Sequence, residues 1–223
     1  MNNKIRIRTT QELEDRKERF LEISKILDEI GITYFLIGGV LLGAKRDKKF
    51  IEWDWDVEIN LFIKDLNINF EEILKKLLEN NFQIWGCRKT DFDSKIDFYK
   101  NYSTDVTHYT LNGWSHDKKN KIFFRNRISF PEHFLDEFET IEFYGKNFNA
   151  PKPITDYLDY QFGDWKTRKR TDIKSSYMTS KFYRRDSLVF KIAKFIKMSK
   201  NGQKWLKISK FMTLKKSTQY LTF

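Results

Sequence analysis

The chain has 223 residues, 17% of them aromatic, with only 9 Gly and 3 Pro, which excludes a disordered chain and allows one ordinary domain with an appendage. Its single cysteine, Cys87, excludes an internal disulfide and a cysteine-rich zinc site. The opening MNNKIRIRTT has no apolar core for a signal peptide, and no run reaches the roughly 18 apolar residues of a membrane span, so a cytoplasmic setting is expected. The net charge of +11 is unevenly placed: residues 174–223 hold thirteen Lys or Arg against one acid, Asp186, which leaves residues 1–173 at about −1 and argues against nucleic acid as a partner.

Thr9 and Glu12 have capping-box spacing, and Leu13, Phe20, Ile23, Leu27 and Ile30 follow a helical period until Gly31 offers a C-terminal cap. A strand is predicted over Thr33 to Ile37, then a Gly38-Gly39 turn, a short basic helix from Val40 to about Arg46, and a strand from about Trp53 to Phe62. Alternation along that strand puts Asp54, Asp56 and Glu58 on one face and Trp55, Val57 and Ile59 on the other. Carboxylates so crowded repel one another, and a folded chain accepts them mainly around a cation. Oxygen-only ligands favour Mg²⁺ or Mn²⁺, with waters and substrate phosphates as the remaining ligands. The two glycines leave backbone N–H groups open to a phosphate. Each feature alone has an ordinary reading, a plain turn or a charged edge strand. Their separation by one short helix points to metal-dependent phosphate chemistry.

Further along, a helix is predicted from Asn69 to Asn80 on Ile73, Leu74, Leu77 and Leu78, then strands at Phe82 to Arg88, Lys95 to Tyr99, Val106 to Leu111 and Lys121 to Arg125. Asp97 is the only acid in the apolar alternation KIDFY. Glu139 to Ala150 reads as a hairpin around Tyr144-Gly145-Lys146-Asn147, and Pro151 and Pro153 introduce a helix from Ile154 to Phe162 ended by Gly163. His108, His116 and His133 have no metal spacing and no nucleophile motif is present, which disfavours covalent catalysis. The basic tail carries two amphipathic stretches, Leu188 to Ile196 and Trp205 to Met212. Such helices suit an anionic membrane surface, or pack on the domain with their lysines in water.

Gly43-Ala44-Lys45-Arg46 followed by Phe50-Ile51-Glu52-Trp53-Asp54-Trp55-Asp56-Val57-Glu58 resembles the LicD and fukutin families, whose pattern is close to G-x-L-L-G-A-x-R, a short gap, then I-P-W-D-x-D-x-D. The register matches from Gly39 to Glu58, with departures at Val40 (usually Thr), Glu52 (usually Pro) and Glu58 (usually Asp). Lys95-Ile96-Asp97-Phe98 matches a second family pattern, Leu111-Asn112-Gly113-Trp114 is similar to W-N-G-G, and Pro153, Tyr157-Leu158, Tyr160 and Phe162-Gly163-Asp164-Trp165 resemble the family's ending. The resemblance covers about Phe20 to Arg170.

It implies an α/β (α+β) fold, a nucleotidyltransferase-like mixed sheet flanked by helices over residues 1–173, with a basic helical extension over 174–223. The implied activity moves an alcohol phosphate, such as phosphocholine, ribitol phosphate or glycerol phosphate, from a CDP-activated donor to a hydroxyl of a glycan or lipid-linked glycan, releasing CMP. Under that resemblance Asp54, Asp56, Glu58 and Asp97 hold Mg²⁺ or Mn²⁺, and Asp56, Glu58 and Asp97 serve catalysis with Asp97 as general base. Gly38, Gly39, Lys45 and Arg46 bind donor phosphates. The rival readings are transfer of NMP from an NTP and a non-catalytic relative that binds a glycan. The expected setting is the cytoplasm, with a peripheral attachment at the inner face of the membrane through the tail.

Overall fold

The computed structural model describes residues 5–100, 107–126, 128–171 and 173–182. Helix α1 (Thr10–Ile30) is capped as its sequence dictates: the Thr9 hydroxyl accepts the Glu12 N–H, and the Glu12 carboxylate accepts the Thr9 N–H at 2.7 Å. Gly31, at φ +76°, turns the chain out of the helix. Phe20, Ile23 and Leu27 are buried, and the Phe20 ring meets Phe50, Phe143 and Phe148 at 5.5, 5.9 and 5.1 Å between centroids. Burial of each such ring stabilises the fold by about 1.5–3 kcal/mol.

The strands follow as β1 (Tyr34–Phe35), β2 (Asp56–Phe62), β3 (Gln83–Arg88), β4 (Lys95–Tyr99), β5 (His108–Asp117), β6 (Ile122–Arg125), β7 (Ile128–Pro131), β8 (Phe138–Phe143) and β9 (Lys146–Pro151). Between β1 and β2 stands α2 (Gly38–Leu42), continued by a π-helical turn over Gly43–Asp47. Helices α3 (Ile63–Ile68) and α4 (Phe70–Glu79) follow β2, and α5 (Ile154–Phe162) follows β9. Among the described residues the sheet has nine strands, in the order β3-β4-β5-β2-β1-β9-β8, with β6 paired to β5 and β7 to β6. The β2–β5 and β1–β9 pairs are parallel and the others antiparallel, so the sheet is mixed, with β2 at its centre.

Pairing puts Glu58 opposite Thr110 on β5, and Thr110 opposite Asp97 on β4. One face of β2, β5 and β4 therefore carries Asp56, Glu58, Asn60, Thr110, Asn112, Asp97 and Lys95. The other buries Val57, Ile59, Leu61, Tyr109, Leu111, Ile96 and Phe98.

The structure departs from the sequence reading in places that have local causes. The acidic strand starts at Asp56, not Trp53, because the Asp54 N–H closes a turn onto the Ile51 carbonyl at 3.1 Å and Arg8 takes the Asp54 and Trp55 carbonyls at 2.7 and 3.2 Å. These groups are spent before a ladder can form. Strand β5 runs beyond Leu111 through Gly113, where an added Cβ would meet Ile63 and Leu66 of α3 at 3.1–3.2 Å. Helix α3 and strand β7 were not predicted, and Val106 lies outside the described residues.

The described start of the basic stretch lies on the domain. A short helix, α6 (Lys174–Tyr177), leads to Phe182, which is buried, and its carbonyl accepts the Ser129 N–H of β7 at 3.2 Å. The predicted tail helices from Leu188 and from Trp205 lie outside the described residues. No described helix is long and apolar enough to cross a membrane.

Candidate functional site

A cleft of about 390 Å³ opens along β2, walled by the Gly38–Gly39 turn on one side and by β6, β7 and the chain after α5 on the other. Asp54, Asp56 and Glu58 line it together, although only Asp56 and Glu58 are on the strand. Asp54 reaches the same place from the preceding turn, and its carboxyl hydrogen-bonds that of Asp56. Burial, then the Glu58 and Asp54 charges, push the Asp56 carboxyl up to about 8. Asp54 is also raised, by burial and by Glu58, against the opposing pull of Arg16. Glu58 is aimed by Asn112, whose amide donates to Oε1 at 3.0 Å, with the Arg125 guanidinium 3.8 Å from the same oxygen.

The glycines serve this arrangement sterically. A Cβ on Gly39 would stand 2.3 Å from Asp54 Oδ2, so no other residue fits beside that carboxylate in place. Gly38 has φ +66°, and its N–H donates to Gln161 Oε1 of α5 at 3.2 Å. The Asn112-Gly113-Trp114 run acts from β5: Asn112 holds Glu58, Gly113 admits α3, and Trp114 Nε1 donates to Asn60 Oδ1 at 2.9 Å.

Three of the eight sequence candidates, Lys45, Arg46 and Asp97, stand differently from the other five. Lys45 does not line the cleft. Arg46 lines it with its guanidinium engaged, by Asp47 at 3.1 and 2.8 Å and by the Trp165 carbonyl at 3.1 Å. Asp97 shares the polar sheet face with Glu58 two strands away, but it does not line the cleft. Its Oδ2 pairs with Lys95 Nζ at 2.5 Å and its Oδ1 accepts from Thr110 at 3.0 Å. The structure thus joins Asp54, Asp56, Glu58, Gly38, Gly39 and Arg46, and does not bring Asp97 into the carboxylate group. Among the described residues, no three His, Cys, Asp or Glu side chains are grouped closely enough to enclose an ion by themselves. The donor set that converges is the Asp54–Asp56 pair. Two half-buried acids of raised pKa suit a hard divalent cation that takes its other ligands from phosphate and water.

Several side chains in and behind the cleft have no counterpart among the sequence candidates. Arg16 of α1 is 1% exposed, and none of its three guanidinium nitrogens has a hydrogen-bond partner among the described residues. Its centre lies 5.7 Å from the Phe50 ring centroid and its charge favours ionised Asp54 and Asp56, while burial lowers its own pKa. The helical period of α1 held the clue, since an inward residue is due between Leu13 and Phe20. Arg125, Lys169 and Lys174 also line the cleft and supply cations to face an anionic ligand. Gln161 gives no signal in sequence, being a polar residue on a helix like any other.

Residues 31–153 match the family described as LicD/FKTN/FKRP, nucleotidyltransferase domain. The chain is 26% identical over 149 residues to the ribitol 5-phosphate transferase FKRP of Homo sapiens and, equally, of Mus musculus. The match covers 62% of this chain and 29% of each relative, so the chain spans under a third of the length of these proteins. An uncharacterized protein of Rickettsia prowazekii, RP689, is 26% identical over 160 residues, covering 63% of this chain and 51% of that one. Among solved structures, ANT(2")-Ia in complex with adenylyl-2"-tobramycin superposes with a TM-score of 0.42 at 11% identity, over 66% of this chain and 76% of that one.

Proposed function

Because the chain belongs to the LicD/FKTN/FKRP nucleotidyltransferase-domain family, we propose that it transfers an alcohol phosphate from a CDP-activated donor to a glycan hydroxyl, with ribitol phosphate the first candidate. The observation that carries the reading is the half-buried Asp54–Asp56 acid pair, with Asp54 directly against Gly39, in a cleft also lined by cations. In this reading the donor diphosphate lies over the Gly38–Gly39 turn, where no side chain separates backbone from ligand. Arg125 and Lys169 meet its charge from the opposite wall. Asp54 and Asp56 would hold Mg²⁺ or Mn²⁺, which supplies neutralisation of the charge that builds on the bridging oxygen. Gln161 and Asn112 keep the turn and Glu58 in place. The acceptor oxygen attacks the phosphorus that bears the alcohol, the bond to the CMP oxygen breaks, and the acceptor proton passes to a base. Asp97, on the same sheet face, is the proposed base.

The test is a thermal-shift panel of CDP-ribitol, CDP-glycerol, CDP-choline, CTP and ATP with Mg²⁺, followed by product analysis of any ligand that stabilises. Stabilisation by a CDP-alcohol and release of CMP is the expected result. Stabilisation by an NTP alone, with pyrophosphate released, would replace this reading with nucleotidyl transfer.

A further inference from the structure

Two tryptophans stand in water beside the carboxylates: Trp55 is 61% exposed and Trp85 is 60% exposed. A single exposed aromatic is ordinary, but these two converge on one imidazole. The His108 ring is 5.7 Å from Trp55 and 5.2 Å from Trp85, at interplanar angles of 58° and 69°. Both indoles stay mostly exposed beside that ring. His108 is the register partner of Asp56, and Trp55 itself lines the cleft, so the aromatic group is continuous with the candidate site. Trp85 sits at a β3–β4 irregularity beside Gly86, whose missing side chain leaves Asp97 Oδ2 3.4 Å from where a Cβ would be.

The geometry points to Trp55, His108 and Trp85 as a stacking platform for a pyranose ring of the acceptor, a use of the site that rests on the transferase reading above. The side of the sheet decides between donor and acceptor. The glycine turn and α5 flank β2 from the β1 side, whereas His108 on β5 and Trp85 on β3 lie on the other side of the carboxylates. In-line displacement at phosphorus requires the attacking and leaving oxygens on opposite sides. With the nucleotide in the cleft, the attacking sugar comes over β5 and β4. A pyranose suits this surface because its C–H bonds form an apolar face that packs on an electron-rich indole, while its hydroxyls need polar groups at the edge. Lys95, half-buried on the same face, is the polar group at that edge, with Asp97 and Thr110 bonded behind it.

The experiment uses the full chain and two readouts, saturation-transfer NMR with methyl glycosides of glucose, galactose, N-acetylglucosamine and rhamnose, and the CDP-ribitol thermal shift with Mg²⁺. At least one glycoside binds the unaltered chain, Trp85→Ala weakens it about fivefold to tenfold, and Trp85→Phe recovers most of the loss, with the CDP-ribitol shift retained throughout. Absence of glycoside binding, or binding indifferent to Trp85→Ala, overturns the platform while a retained CDP-ribitol shift leaves the transferase reading standing. Loss of the CDP-ribitol shift in Trp85→Ala also overturns it, by making the indole part of the donor site. Trp85-dependent glycoside binding in a chain that ignores CDP-ribitol and every other CDP-alcohol upholds a sugar platform and overturns the donor assignment.

Discussion

Asp56→Asn tests the energetic core of the site. Burial and the Glu58 and Asp54 charges raise Asp56 from 3.8 to about 8, so between those values the folded protein keeps a proton that the unfolded chain has released. A raised carboxyl destabilises the fold as pH rises through that window, by at most about 1.4 kcal/mol per pH unit, and the loss levels off above pH 8. At pH 7 the ceiling is about 4 kcal/mol. Sharing of the proton with Asp54 and local relaxation reduce this to about 1–3 kcal/mol. Asparagine has the same shape, carries no charge and can donate to Asp54. The variant should therefore gain about 1–3 kcal/mol at pH 7 in a metal-free buffer, and almost nothing near pH 4, while turnover falls below about 1% of the starting rate because a cation ligand is lost. Urea unfolding in EDTA at pH 5 and pH 8 measures the first part and CMP release measures the second. A variant equally destabilised at both pH values would refute the reasoning, since the Asp56 carboxylate would then be a stabilising group and not a strained one.

Gly39→Ala should cut turnover at least tenfold with little change in urea midpoint, because its methyl group would fall 2.3 Å from Asp54 Oδ2; Mn²⁺ affinity by calorimetry should fall in parallel. Arg16→Met removes a buried guanidinium that favours ionised Asp54 and Asp56, so Mn²⁺ binding at pH 7 should weaken about tenfold while stability holds or rises, and unchanged Mn²⁺ affinity would remove Arg16 from the site. Asp97→Asn should lower the rate of transfer to an acceptor at least about 10²-fold while leaving the CDP-alcohol thermal shift in place; equal loss of both would make Asp97 part of donor binding. Removing residues 184–223 leaves the buried Phe182 in position, so the shortened chain should stay folded and turn over a soluble acceptor. It should no longer sediment with anionic vesicles, to which the full chain should bind in a salt-sensitive way; vesicle binding unchanged by the truncation would rule out the tail as the anchor.

The sequence exposed the carboxylate group because charge in an apolar strand is costly enough to stand out. It reached Asp54 by a wrong route, however, since strand alternation was invoked for a residue that sits in a turn held by Arg8 and Ile51. Lys95–Tyr99 and Ile154–Phe162 match the predicted bounds because their signals, period-two alternation and a Pro-to-Gly bracket, are local. Gln161, Asn112 and Arg125 were not legible as functional, because what they do depends on which strand lies beside which. No spacing along the chain carries that information. Arg46 illustrates the converse: a basic residue in the right motif whose hydrogen bonds go to Asp47 and to the Trp165 carbonyl.

The bond from Gly38 to Gln161 spans 123 residues, and that from Arg46 to Trp165 spans 119. A ribosome therefore delivers the acid pair and the glycine turn roughly a hundred residues before the helix that fixes them, a delay of about 5–20 s at ordinary elongation rates. For that interval the nascent chain carries its carboxylates with one wall of their enclosure still unmade. The cleft is a late product of synthesis, and a chain that stops before α5 can display the acidic strand without the wall that closes the cleft over it.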